Sequence, residues 1–247
     1  MIYVGENKSI LCKGDFRPAQ LYKGDKKITG YTVEKFEGTG SVTLENCYND
    51  RVYDVYVDES TQSITVRGKN YFSLDKVLIF NAATQPYNNG LKVQKTGTDN
   101  RSNKIPVSLP AGKTINVTME VVDSQIDGTE TYITLCFYNS EGTKVTERRV
   151  SSSATKKSFS FTPNKEISYF QFIFQANITY NAVGDYVTMD NIMIRTEGDD
   201  SFEPYIEPQT IPLENGELTA EIPTFKGTTV IEAEATISGK YKKREVE

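Results

Sequence analysis

Two strand-like runs carry the groups best suited to recognising a polyhydroxylated ligand. In YITLCFY, alternation puts Tyr132, Thr134 and Tyr138 on the side opposite Ile133, Leu135 and Phe137. In YFQFIFQA, Tyr169, Gln171 and Gln175 oppose Phe170, Phe172 and Phe174. An aromatic ring stacks on the C–H face of a sugar, and planar polar groups bond its hydroxyls. The segment 81–104 reads as a loop and adds Tyr87, Asn88, Asn100 and Arg101, and loops on a rigid scaffold are where binding groups usually sit. A plainer reading stands beside this one. Exposed tyrosine and glutamine are good strand formers that pair across neighbours, or pack against an adjoining domain or a sister subunit.

Catalytic chemistry finds less support. The chain has 247 residues and no histidine, which excludes imidazole-based triads, HExxH zinc sites and a proximal haem ligand. A glycosidase needs two carboxylates across a cleft, and no pair stands out among 33 acidic residues. Glu120, Asp123 and Asp127 read as solubilising groups, and Asp199, Asp200 and Glu203 as an acidic turn. GTGS (38–41) lacks the lysine of a phosphate loop and reads as a hairpin turn. Cys12, Cys47 and Cys136 lack CxxC spacing and read as free thiols in a protein that folds in a reducing cytoplasm. The expectation is a protein that is not an enzyme.

A net charge of −5 argues against sequence-independent nucleic-acid binding, which needs a dense basic face. The stretch YFQFIFQANI is interrupted by Gln171, Gln175 and Asn177 and is too short to span a bilayer as a helix, so no membrane insertion is expected. The first residues show no basic region followed by an apolar run, so no signal peptide is expected either.

Period-two alternation dominates the elements that would position these groups. TINVTMEVV sets Ile115, Val117, Met119 and Val121 against Asn116, Thr118 and Glu120, as a strand with one core face requires. Turn signals at 109–113, 140–144, 162–166 and 182–186 separate such runs. Short strands spaced this way predict an all-β antiparallel sandwich or barrel. Residues 61–198 hold the longest alternating runs and most of the phenylalanine, and so the main core. Residues 1–60 and 199–247 read as small β appendages at the two ends, with Pro204, Pro208 and Pro212 preventing regular structure early in the second.

Several phrases carry a resemblance: LYKGDKKITGY onward, RGKN with Tyr71 and Phe72, DNIMIR (190–195) with FEPY (202–205), and the tail FKGTTVIEAEATISGKYKKRE. Together they resemble minor structural proteins of the tail or baseplate of phages and prophages in Gram-positive gut bacteria. Residues 61–198 look like a jelly-roll carbohydrate-binding module of galactose-binding-like architecture. The resemblance implies a place in the virion tail, other tail proteins as partners, a host cell-surface glycan as ligand and a homotrimeric assembly. Of the strand-face and loop residues named above, Tyr132, Tyr138, Tyr169, Gln171, Gln175, Asn100 and Arg101 are the sugar-contacting candidates. In YVTMDNIMIR the resemblance also implies Asp190 as a ligand of a structural calcium ion. Since calcium takes six to eight oxygens, the other reading of Asp190 is a carboxylate capping a β-bulge. A free-standing lectin-like module and, less favoured, a polysaccharide hydrolase are the alternative functions.

Overall fold

The computed structural model describes residues 21–23, 26–28, 31–77, 84–96, 101–102, 104–126, 132–151, 156–174, 182–218, 222–223, 225 and 227–244. Every regular element among them is a strand. In chain order these begin with β1 (Leu21–Lys23), β2 (Lys26–Ile28), β3 (Tyr31–Glu45), β4 (Cys47–Tyr56) and β5 (Ser63–Gly68). There follow β6 (Thr84–Tyr87), β7 (Gly90–Gln94), β8 (Ile105–Leu109), β9 (Ile115–Gln125) and β10 (Tyr132–Tyr138). Then come β11 (Lys144–Ser151), β12 (Lys156–Phe161), β13 (Ile167–Ile173) and β14 (Tyr186–Arg195). The last are β15 (Gln209–Glu214), β16 (Glu217–Leu218), β17 (Ile222–Pro223) and β18 (Thr228–Arg244).

The chain divides into two units, Gly68–Glu207 and an outer unit built from both terminal segments. The inserted unit is an antiparallel jelly-roll sandwich. One sheet has the order β11-β10-β13-β8 and the other β12-β9-β14-β7-β6, and the chain from β8 to β14 crosses repeatedly between them. The residues expected on the core faces are buried, and Thr118, Cys136, Tyr138 and Gln171 on the opposite faces are buried as well. Ile133, Leu135 and Phe137, Phe170 and Phe172, and Ile115, Val117 and Met119 are all at most 1% exposed and share one core. Phe137 sits 4.8 Å from Phe161 and 5.8 Å from Phe170, ring centre to ring centre, tying the two layers together. Burying each such ring contributes roughly 1.5–3 kcal/mol.

Residues 81–104, expected as a loop, contain the β6–β7 hairpin. β6 is an edge strand, where the missing N–H of Pro86 is tolerated. Its two-residue turn, Asn88 and Asn89, presses β7 onto β14. A Cβ on Gly90 would lie 2.1 Å from the carbonyl oxygen of Met189, so only glycine fits there.

The outer unit corrects the picture of two separate appendages. Apart from the β1–β2 pair, its strands form one seven-stranded sheet, and because β4 pairs with both β16 and β18, the ring β4-β16-β15-β5-β18 closes on itself. Val52, Val55, Ile64, Val66, Ile231 and Ile237 fill it, all at most 1% exposed. Strand β18 also ladders with β3 from Thr228↔Glu45 to Arg244↔Tyr31. This ribbon coils strongly: Asn46 donates its N–H to Gly227 O at 2.8 Å and accepts from Arg244 N at 2.8 Å, so both ends of β18 meet at one residue. GTGS, expected as a hairpin turn, lies within β3 instead. The ladder continues from Ser41↔Glu232 to Thr39↔Thr236 across a bulge on β18, and Gly40 takes a left-handed φ of 79° to follow it. Pro212 sits inside β15 opposite Ser63, and because its neighbour Leu213 is the one that donates to Gln62 O at 2.9 Å, the proline nitrogen faces away from β5 and no bond of that ladder is lost. The basic run Lys240 to Arg244 is laddered strand, with Lys243 Nζ 3.5 Å from Glu34.

Candidate functional site

The outward face of the four-stranded sheet builds the candidate site. Ladder register sets its side chains in three rows. Arg149, Thr134, Ile173 and Arg101 align across the strands in the first. Glu147, Cys136 and Gln171 form the second, and Lys144, Tyr138 and Tyr169 the third. A groove of about 580 Å³ runs over these rows, lined by Arg101, Thr134, Tyr138, Lys144, Glu147 and Arg149 among others.

Tyr138 and Tyr169 were both sugar-stacking candidates, and the fold brings them together. Their rings stack on each other, 4.9 Å apart and 10° from parallel. Lys104 Nζ lies 4.7 Å from the centre of the Tyr169 ring, and Tyr138 is only 8% exposed. The ring faces are spent on one another, so a sugar would meet ring edges here. Burial, chiefly, raises the Tyr138 phenol above its ordinary range.

Gln171 has a structural task. Its Nε2 donates to Ser102 O at 2.9 Å, while Ser102 exchanges bonds with Phe172, N–H to O at 2.8 Å and Oγ from N–H at 2.9 Å. Three bonds thus stitch Ser102 to β13 and hold Arg101 beside Ile173. Ser102 was not singled out from sequence, where nothing distinguishes it from other loop serines. Asn100 and Gln175 lie outside the described residues, as does the side chain of Tyr132.

Glu147 and Lys144 pair at 2.5 Å. The bond from Lys144 holds the Glu147 carboxyl below its usual range, and the same bond raises the lysine. Burial first, then the Glu147 charge, pushes the Cys136 thiol up, so it stays protonated and inert near neutrality. Cys47 is likewise a buried free thiol; Cys12 lies outside the described residues.

Asp190 caps a bulge. Between Asp190 and Met193, β14 carries one residue more than β9, and Asn191 takes a φ of 49°. The carboxylate accepts from Asn89 N at 3.0 Å, Asn191 N at 2.7 Å and Asn88 Nδ2 at 3.1 Å. Three N–H groups converging on it are the arrangement of a bulge cap, the second of the two readings of Asp190.

The acidic turn has lysine partners. Lys69, whose side chain is fully buried, reaches Asp199 at 2.7 Å and Glu203 at 2.9 Å, and Lys156 reaches Asp200 at 2.8 Å. Beside it, buried Asn70 donates to Ile192 O and Glu203 O and accepts from Phe72 N and Ile194 N. RGKN and DNIMIR…FEPY are therefore two halves of one clasp. Of the other acidic group, Asp123 accepts from the Tyr186 hydroxyl at 2.9 Å and Glu120 from Asn191 at 3.4 Å, while Asp127 lies outside the described residues.

A larger groove, about 1090 Å³, opens on the outer unit along Tyr56, Asp58, Gln62, Glu232 and Thr236, where the β18 bulge parts the ladder. Two of the three carboxylates that line it are engaged, Asp58 capping Ser60 N at 2.9 Å and Glu232 pairing with Arg67 at 2.8 Å; the third is Glu234. The smaller groove is the better candidate because its cations, hydroxyl and rings align in register.

No protein-family model matches the chain, and no curated protein matches it in sequence. Solved structures offer distant similarities. One is the Clostridium thermocellum endo-1,4-beta-D-xylanase 10B, CBM22-1 and GH10 modules with xylohexaose, at 14% identity and TM-score 0.31 over 57% of this chain and 30% of that one. Less than a third of the xylanase chain is thus matched. Another is the VP2 subviral particle of infectious bursal disease virus, at 8% identity and TM-score 0.28 over 90% and 83%. The Gt strain of that virus gives 9% identity and TM-score 0.24 over 92% and 84%. Likenesses this remote carry no weight for function, which rests on the chain's own residues.

Proposed function

We propose that the chain is a non-enzymatic component of a phage tail or baseplate whose sandwich unit holds a host cell-surface glycan in the groove over β10, β11 and β13. The observation that carries this is the in-register row Arg149–Thr134–Ile173–Arg101, which shares its sheet face with the Tyr138–Tyr169 stack one intervening row away. The groove's chemistry suits holding more than transforming. Glu147 is kept ionised by Lys144, and Cys136 is kept protonated by burial, so neither is poised as acid or nucleophile near neutral pH. The phage phrases supply the context, and assembly with other tail proteins, as a homotrimer, would multiply a weak single-site affinity.

A glycan array probed with the full chain and with Thr134→Tyr tests the binding. Thr134 faces outward, so a bulkier side chain obstructs the groove without entering the core. Signal lost in the variant is expected; equal signal, or none in the parent, defeats the reading. Light scattering tests the assembly, with a trimer expected and a monomer at high concentration refuting it.

A further inference from the structure

We infer that the groove selects an anionic saccharide, one bearing phosphate or carboxylate groups, over a neutral one; this rests on the glycan reading above. The chain as a whole is acidic, at −5, yet the groove reverses that sign. Arg101, Lys144 and Arg149 line it against one carboxylate, Glu147, and all four side chains are exposed. A cationic trough on an acidic protein focuses attraction for anions where the surroundings repel them.

Register gives the charges a fixed spacing. Arg149 and Arg101 stand at opposite ends of one row, three strand steps apart, so their backbones are about 14 Å from one another. Each guanidinium offers a planar fork matched to a carboxylate or phosphate. Neither arginine rides on a loose loop. Arg149 sits in β11, and Arg101 precedes Ser102, which three hydrogen bonds stitch to β13. Thr134 and Ile173 between them leave a low floor along which a chain of charged sugars can lie.

The rings point the same way. A neutral sugar draws much of its affinity from an open aromatic face, and here Tyr138 and Tyr169 cover each other. Charge pairing therefore supplies the discrimination. Lys144 is already paired with Glu147, so an incoming anion competes for it.

The test is calorimetric titration of the full chain with three polymers: poly(glycerol phosphate), polygalacturonate and fully methyl-esterified polygalacturonate. Binding of one or both anionic polymers, but not the neutral ester, is expected. Binding of only the first identifies phosphate as the anion read, and binding of only the second identifies carboxylate. Arg101→Gln and Arg149→Gln should each weaken the anionic complex about tenfold, the equivalent of about 1.4 kcal/mol. Arg149→Lys should recover part of the loss, and raising salt should weaken binding throughout. Lys165→Gln, on the exposed turn after β12, should change nothing. Neutral ester bound as tightly as the acid, with both arginine variants silent, overturns the charge selection and leaves glycan binding standing. No binding to any polymer by correctly folded protein overturns this inference, while the array decides the broader reading.

Discussion

Lys69 Nζ lies 2.7 Å from the Asp199 carboxylate, with the lysine side chain wholly buried and the aspartate side chain 69% exposed. The pair joins residues 130 apart at the point where the sandwich unit begins and ends. Its second carboxylate, Glu203 at 2.9 Å, is only 15% exposed. An ammonium this deep persists because two carboxylates and the Ser201 hydroxyl replace its water.

Lys69→Met should therefore lower stability by about 3 kcal/mol, since it strands the largely buried Glu203 carboxylate. Glu203→Gln should cost more than Asp199→Asn, because the less exposed carboxylate has less water to fall back on. Urea midpoints of the three variants check the order, and the reverse ranking would contradict it.

Asn70 uses its whole amide: Oδ1 accepts from Phe72 N at 2.9 Å and Ile194 N at 3.1 Å, and Nδ2 donates to two carbonyls. Asn70→Ala should cost about 3–4 kcal/mol by leaving buried backbone groups unpaired. Asn70→Asp should fare no better at neutral pH, because a carboxylate cannot donate to Ile192 O or Glu203 O. Thermal melts decide this, and a shift within error for Asn70→Ala would show the bonds to be dispensable.

Acid should weaken the clasp in a defined window. The bond from Lys69, then that from Ser201, holds the Asp199 carboxyl down to about 2. The unfolded chain takes up this proton nearer the ordinary aspartate value of about 3.9. The contribution of Asp199 is thus complete above about pH 4 and lost as the pH falls toward 2. Denaturant midpoints at pH 5 and 2.5 should fall further in the parent than in Asp199→Asn; parallel falls would refute the assignment.

Gly90 and Gly40 should respond differently to alanine. A Cβ at Gly90 meets Met189 O at 2.1 Å, whereas at Gly40 nothing lies within 4 Å and only the φ of 79° resists. Gly90→Ala should cost about 3 kcal/mol by prising the β6–β7 hairpin from β14. Gly40→Ala should cost about 1 kcal/mol. Equal losses in chemical denaturation would remove the steric explanation.

Gln171→Leu should loosen the segment that carries Arg101. The Ser102 amide, which donates to Phe172 O at 2.8 Å, should then exchange its hydrogen roughly tenfold faster if the amide contact is worth about 1.4 kcal/mol. Hydrogen exchange read at that residue settles it, and unchanged protection would make the Gln171–Ser102 bond incidental.

The alternation of TINVTMEVV, YITLCFY and YFQFIFQ was enough to name the core-facing side chains of β9, β10 and β13, because side-chain direction along a strand is a local property of the backbone, whereas the burial of Tyr138 and Gln171 on the other face depends on what packs over them. The turns between β8 and β9, β10 and β11, and β12 and β13 were legible for the same reason. Choice of partner is not local. That β18 joins β3 and β4 in a barrel with β5 and β15, that Asp199 answers Lys69, and that Tyr138 spends its ring on Tyr169 all depend on which distant segments meet. Each strand offers two edges to many mates of similar pattern, and only closing both cores together selects the pairing and the register.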